Sequence, residues 1–238
     1  MQPKTFGHIV IAGVLMAALV ACADDATDEA ATPLELAEVL LTADDLGEGW
    51  AESFIDGSCA SPEDCEYDGV VTAEMRADLQ ESQWPLGGLL EECAATRLTL
   101  AELPLMAGAP QALRAMEKEF VAEQNPATID EALLAGDEAQ LIEEFGALTS
   151  MIRECLAEPA PPEEQVEARE LALPTLGDER FGFVLQIGSG DRWDIRAVMV
   201  RVGSTLIVLS ENEFPSGESW LSDDEFVAIA QQAVDKLD

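Results

Sequence analysis

Phe181-Gly182-Phe183-Val184-Leu185-Gln186-Ile187 is the stretch that decides the fold. Phe181, Phe183, Leu185 and Ile187 recur at every second position, the period of an extended chain whose successive side chains point to opposite faces. Gly188-Ser189-Gly190-Asp191 then supplies a turn, residues 193–202 run back, and Gly203-Ser204 makes a two-residue hairpin into residues 205–210. An antiparallel meander of three strands is expected. Upstream, residues 165–173 are a further candidate strand. Downstream, Ser222 and Glu225 form a capping box that opens a last helix, whose Phe226, Ile229, Ala230, Ala233 and Leu237 make a stripe able to cover one sheet face.

Toward the N-terminus the periodicity changes at Glu158-Pro159-Ala160-Pro161-Pro162-Glu163, a stiff extended connector. Before it, residues 137–156 read as a helix: Asp137 caps it, and Leu141, Phe145, Leu148, Ile152 and Cys155 recur at intervals of four and three. Pro110 is expected to open another helix with Leu113, Met116 and Phe120 on one face, stopped by Asn125-Pro126. Residues 74–81 and 89–98 read as helical, a strand is expected near 69–72, and residues 42–50 read as a turn broken at Gly47 and Gly49. Thr32-Pro33-Leu34-Glu35 combines an N-cap, a proline at the first helical position and a capping Glu, so a short helix should run to about Leu41. These elements predict one α+β domain over residues 34–238, helical in its first half, with an antiparallel sheet of three or more strands, mostly C-terminal, packed with helices.

Leu19-Val20-Ala21-Cys22 closes an apolar run that begins at Ile9 and follows the charge of Lys4. Small Ala21 precedes the cysteine as signal-peptide cleavage requires, and the run is shorter than the ~20 residues that span a bilayer. The pattern resembles the lipobox of bacterial lipoproteins. That resemblance implies removal of residues 1–21, acylation of the Cys22 thiol, and a protein held by lipid on the extracytoplasmic side of the cell membrane. Residues 22–33, with Asp24, Asp25, Asp28 and Glu29, then form an acidic tether.

Composition excludes several chemistries. The only histidine, His8, lies in the segment expected to be removed, so no imidazole remains for a Ser-His-Asp or Cys-His device or for a histidine zinc site. Past Cys22 the only lysines are Lys118 and Lys236. With 48 acidic and 12 basic residues the formal charge is −36, a field that repels phosphates and excludes nucleic acid as a partner. A solubilising, salt-adapted surface is the favoured reading of that acidity over a dedicated recognition face. Beyond Cys22, Cys59, Cys65, Cys93 and Cys155 are an even number in an oxidising exterior, which predicts two disulfides. Three pairings exist, and Cys59–Cys65 with Cys93–Cys155 is the favoured one. By the chain-entropy model the longer link contributes roughly 4 kcal/mol.

Residues 40–50, reading Leu-Leu-Thr-Ala-Asp-Asp-Leu-Gly-Glu-Gly-Trp, are followed in order by Gly177-Asp178-Glu179, Val200-Arg201-Val202-Gly203-Ser204-Thr205-Leu206-Ile207-Val208, and Ala233-Val234-Asp235-Lys236-Leu237. The series resembles sensor-like lipoproteins of actinobacteria, which are similar in turn to the extracellular sensor domain of mycobacterial receptor serine/threonine kinases. The resemblance spans residues 34–237. It implies a disulfide-bonded antiparallel sheet flanked by helices, a ligand-sensing or adaptor role, and no catalytic residues. The density of carboxylates here departs from that group.

Three candidate sites remain. Asp64, Glu66 and Asp68, with Gly69 after them, imitate the opening of a calcium loop, but position twelve is Met75 in place of the bidentate Glu, and a solvated acidic loop is favoured. Calcium is the one cofactor considered. Arg180, Arg192, Arg196 and Arg201 gather in the sheet region and have the geometry to bind a carboxylate or phosphate, with internal ion pairing favoured instead. Trp50, Trp84 and Trp220 sit beside turn residues, where they either line a cleft or pack at element ends. The function expected is non-catalytic sensing or binding of an unknown small molecule or envelope protein. The alternatives are a scaffold that meets a protein through its acidic face and a small carboxylate-based glycosidase.

Overall fold

A computed structural model describes residues 31–53, 69–72, 75, 110–118, 127–157, 166–187, 193–212 and 221–237. Its centre is the expected meander. Strands β5 (Glu179–Ile187), β6 (Trp193–Val202) and β7 (Thr205–Asn212) pair antiparallel, with Val202 opposite Thr205. That register leaves Gly203-Ser204 as the turn, and Gly203 has φ +54°, which the hairpin needs and glycine adopts without strain. Strand β4 (Val166–Glu170) adds to β5 within the candidate range 165–173.

The other half of the sheet corrects the sequence reading. Residues 112–118, expected as a helix, are strand β2 (Ala112–Lys118), and β3 (Ala127–Ala135) follows where no element was expected. With β1 (Trp50–Ser53) they give a seven-stranded, wholly antiparallel sheet of order β1-β2-β3-β7-β6-β5-β4. The first half is therefore not simply helical. The misreading has a physical cause: Ala112 and Met116 pack on one face, while Leu113 packs on the other, and all three are buried. A strand covered on both faces shows no alternation, so the three-residue spacing of Leu113 and Met116 imitates a helical stripe. The expected strand near 69–72 is reduced to a bridge, Val70 opposite Ala112.

Helices cover both faces. α1 (Pro33–Glu38) and α2 (Ala43–Leu46) each begin with a complete capping box, Thr32 with Glu35 and Thr42 with Asp45. α3 (Glu138–Ala157) starts where Asp137 accepts the Gln140 N–H at 2.9 Å, as its sequence requires. It lays Leu141, Phe145, Leu148 and Ile152 on Phe181, Phe183, Met199 and Val208. α4 (Asp223–Asp235), capped by Ser222 and Glu225, sets Phe226, Ile229, Ala230 and Ala233 on the opposite face with Leu36, Leu40, Val198, Val200 and Leu209. The result is a sheet between two helical layers.

The remaining expectations for the signal segment and residues 22–30 of the tether, Cys22, Cys59, Cys65, Cys93, the helix at 74–81 apart from Met75, the helix at 89–98, the acidic loop at 64–68, Arg192, Trp84, Trp220 and the connector at 158–163 lie outside the described residues, as does the Cys155 side chain.

Candidate functional site

Among the described residues, the buried charged side chains of this sheet fall into three clusters. The first lies on the α3 face at the β6–β7 hairpin. Arg201, 6% exposed, donates from Nε to Glu179 at 2.7 Å and from Nη1 to the Gly203 carbonyl at 2.8 Å. Its Nη1 is also within 3.3 Å of Asp178 and 3.5 Å of Glu138, the first residue of α3. Asp178 in turn accepts the Gly203 N–H at 2.8 Å, and its own N–H donates to the Arg201 carbonyl at 2.9 Å. Gly177 makes that approach possible: it has φ +50°, and a Cβ there would sit 2.5 Å from the Arg201 carbonyl oxygen. Gly177-Asp178-Glu179 and the hairpin sequence, far apart in the chain, thus form one clamp.

The second cluster lies on the α4 face. Arg196 pairs with Glu211 on the neighbouring strand, and both are buried. Arg196 Nε also reaches Asp223 at 3.3 Å, and Asp223 is held from β4 by Arg169 at 2.7 Å. Asp223 is the first residue of α4, where the helix dipole favours a carboxylate, so this row ties the helix to β4 and β6.

The third cluster lies nearer the other edge of the same face. Glu131 of β3 has no exposed surface, and its Oε2 accepts the Leu41 N–H at 2.6 Å. Arg114 of β2 donates to the Leu41 carbonyl at 3.0 Å, and Lys236, just past α4, donates to the Leu40 carbonyl at 2.8 Å and pairs with Asp45. Burial pushes the Glu131 carboxyl up to about 7, against the Leu41 hydrogen bond and the charges of Lys236 and Arg114, which lower it. Residues 40–50 and the end of the last helix, two more of the sequence stretches quoted above, therefore meet here.

Of the four sheet arginines, Arg196 and Arg201 project to opposite faces, each among carboxylates, and do not converge. Arg180 stands half-buried on β5, opposite Val200, four residues or about 13 Å along the strands from Arg196. Trp50 begins β1 and packs against the α4-side core. Among the described residues no group of three or more His, Cys, Asp or Glu side chains is placed to hold a metal ion. Sequence reasoning missed Glu131, Arg114, Glu211 and Asp223. For Glu131 a signal existed, an acidic residue just ahead of the apolar run Ala132-Leu133-Leu134-Ala135.

No family model and no curated protein matches the sequence. By fold the chain is similar to a solved structure, the extracellular domain of PknH from Mycobacterium tuberculosis, with a TM-score of 0.51 and 9% sequence identity over 88% of this chain and 97% of that one. The two share a fold. The expected likeness to the extracellular domain of a mycobacterial kinase is thus met in architecture. Among the described residues no helix is long and apolar enough to cross a membrane.

Proposed function

We propose that this chain is a lipid-anchored, extracytoplasmic domain that senses or binds a ligand and performs no chemistry of its own. The observation that carries this reading is the fold shared with an extracellular domain over nearly the whole length of both chains. Two features of the sequence support it. The lipobox-like Leu19-Val20-Ala21-Cys22 supplies an export signal and an anchor, and no histidine follows His8. The internal charges described above support it as well, since buried Arg196 and Arg201 and half-buried Lys236 are engaged by carboxylates and backbone carbonyls that join elements of the fold.

The anchor is tested by labelling cells with a fatty-acid probe and comparing the wild type with Cys22→Ser. The wild type should take up label and partition with membranes, and Cys22→Ser should do neither. A Cys22→Ser protein that remains acylated and membrane-bound would overturn the reading. Non-enzymatic action is tested with glycan substrates, where turnover abolished by one carboxylate substitution would restore the glycosidase alternative.

The formal charge of −36 favours a second reading, docking of a basic envelope protein on the acidic surface. Salt separates the two, because screening weakens such a complex far more than it weakens binding of an uncharged ligand.

A further inference from the structure

The link between α1 and α2, Leu40-Leu41, is held by polar contacts from three elements at once. Glu131 of β3 takes the Leu41 N–H, Arg114 of β2 donates to the Leu41 carbonyl, and Lys236 donates to the Leu40 carbonyl. The same docking buries Leu36, Ala37, Leu40 and Leu41 completely or nearly so. At the centre of the clamp is a carboxylate sealed from water. Its Oε2 has one short bond, and among the described residues its Oε1 has no hydrogen-bond partner. An ionised carboxylate in that position lacks solvation that it recovers once the segment lifts away.

We propose that Glu131 makes the seating of the N-terminal α1–α2 segment on the sheet proton-sensitive: the segment is held most firmly with Glu131 protonated and loosens as Glu131 loses its proton. The device goes beyond the sensing reading and stands whether or not Cys22 carries lipid.

Arg114 from β2 and Lys236 from the end of α4 favour the ionised form of Glu131, while Asp45 from α2 opposes it. Glu52 of β1 faces Arg114 at 3.9 Å and competes for its charge. Burial outweighs the Leu41 hydrogen bond and the two nearby positive charges, which is why the group titrates near 7 when the segment is docked and near its ordinary 4.5 when it is exposed. The docked form therefore binds the proton more tightly than the open form. Between about pH 4.5 and 7 the opening equilibrium rises with pH, by about tenfold per unit, and above 7 it levels off. Asp45 acts in the other sense and in another window. Burial raises its carboxyl, but the hydrogen bonds from Lys236 and Thr42 outweigh that and hold it below its ordinary 3.8, so it loosens the clamp only in stronger acid.

The test is hydrogen exchange of the intact protein at pH 5, 6, 7 and 8, with each amide corrected for its intrinsic rate. In the wild type, protection of the Leu41 amide should fall about tenfold per unit from pH 5 to 7 and then level, and at each pH it should lie well below that of Val208 in the central strand, whose exchange requires the whole sheet to open. In Glu131→Gln, which keeps an acceptor for the Leu41 N–H and cannot ionise, Leu41 protection should be flat. A wild-type Leu41 profile that is flat, or Leu41 protection equal to that of Val208, would overturn the proposal, as would the same fall in Glu131→Gln. Should Glu131→Gln fail to fold, the wild-type Leu41 slope and its level of protection relative to Val208 decide by themselves.

Discussion

Arg196 and Glu211 are both buried side by side on adjacent strands, and removing Arg196 takes its paired positive charge from a carboxylate held in the interior. Arg196→Met should therefore cost about 3–5 kcal/mol in urea denaturation, and adding Glu211→Leu should recover most of the loss. Equal loss in the single and double variants would refute that pairing. Gly177→Ala is expected to cost more than the ~1 kcal/mol of an ordinary strained glycine replacement, because its Cβ would meet the Arg201 carbonyl at 2.5 Å. Glu131 sets a pH dependence of opposite sign to most carboxylates. Its raised value means that stability is lost as pH climbs from 4.5 to 7, and Glu131→Gln should remove that slope and gain up to about 3 kcal/mol at pH 8 in the same assay. Such residues were hardly legible in the sequence. Glu131 and Leu41 are 90 residues apart, and Arg201 and Glu138 are 63 apart, so their pairing exists only once the strand register is known.

Element by element, legibility follows local chemistry. The capping boxes at Thr32, Thr42 and Ser222 are complete in the structure, because a cap is a contact between neighbours in sequence. Thr42 with Asp45 turned an expected loop into one helical turn. Ser222→Ala should destabilise the protein by about 1 kcal/mol, read as a lower urea midpoint at unchanged slope, since it frees one end of α4 whose other contacts are intact. The β5–β7 meander was readable because Phe181, Phe183 and Leu185 go to one face beneath a helix, and its turn is written in Gly203. β2 and β3 were not. Their Ala, Leu, Met and Glu are helix-favouring residues, and the pairing of β3 with both β2 and β7 overrides that preference.

At the scale of the molecule, β7 returns from the C-terminal half to lie between β3 and β6, so the two halves share one sheet and are expected to unfold together. A chain with formal charge −36 repels itself in the compact state. Raising sodium chloride from 0.05 to 1 M should therefore raise the thermal midpoint, and relief of about 2 kcal/mol corresponds to roughly 4–8 °C at this chain length. A midpoint that falls would mean the ion pairs outweigh the self-repulsion. Anchor and ligand are best tested together by mass spectrometry of the protein extracted in detergent from its own envelope, sprayed once under native and once under denaturing conditions. The expected denatured mass is that of residues 22–238 with acyl chains added, and the native mass should carry a further small molecule that denaturation releases. A denatured mass without acyl chains, or a native mass identical to the denatured one, would contradict a lipid-anchored ligand-binding domain.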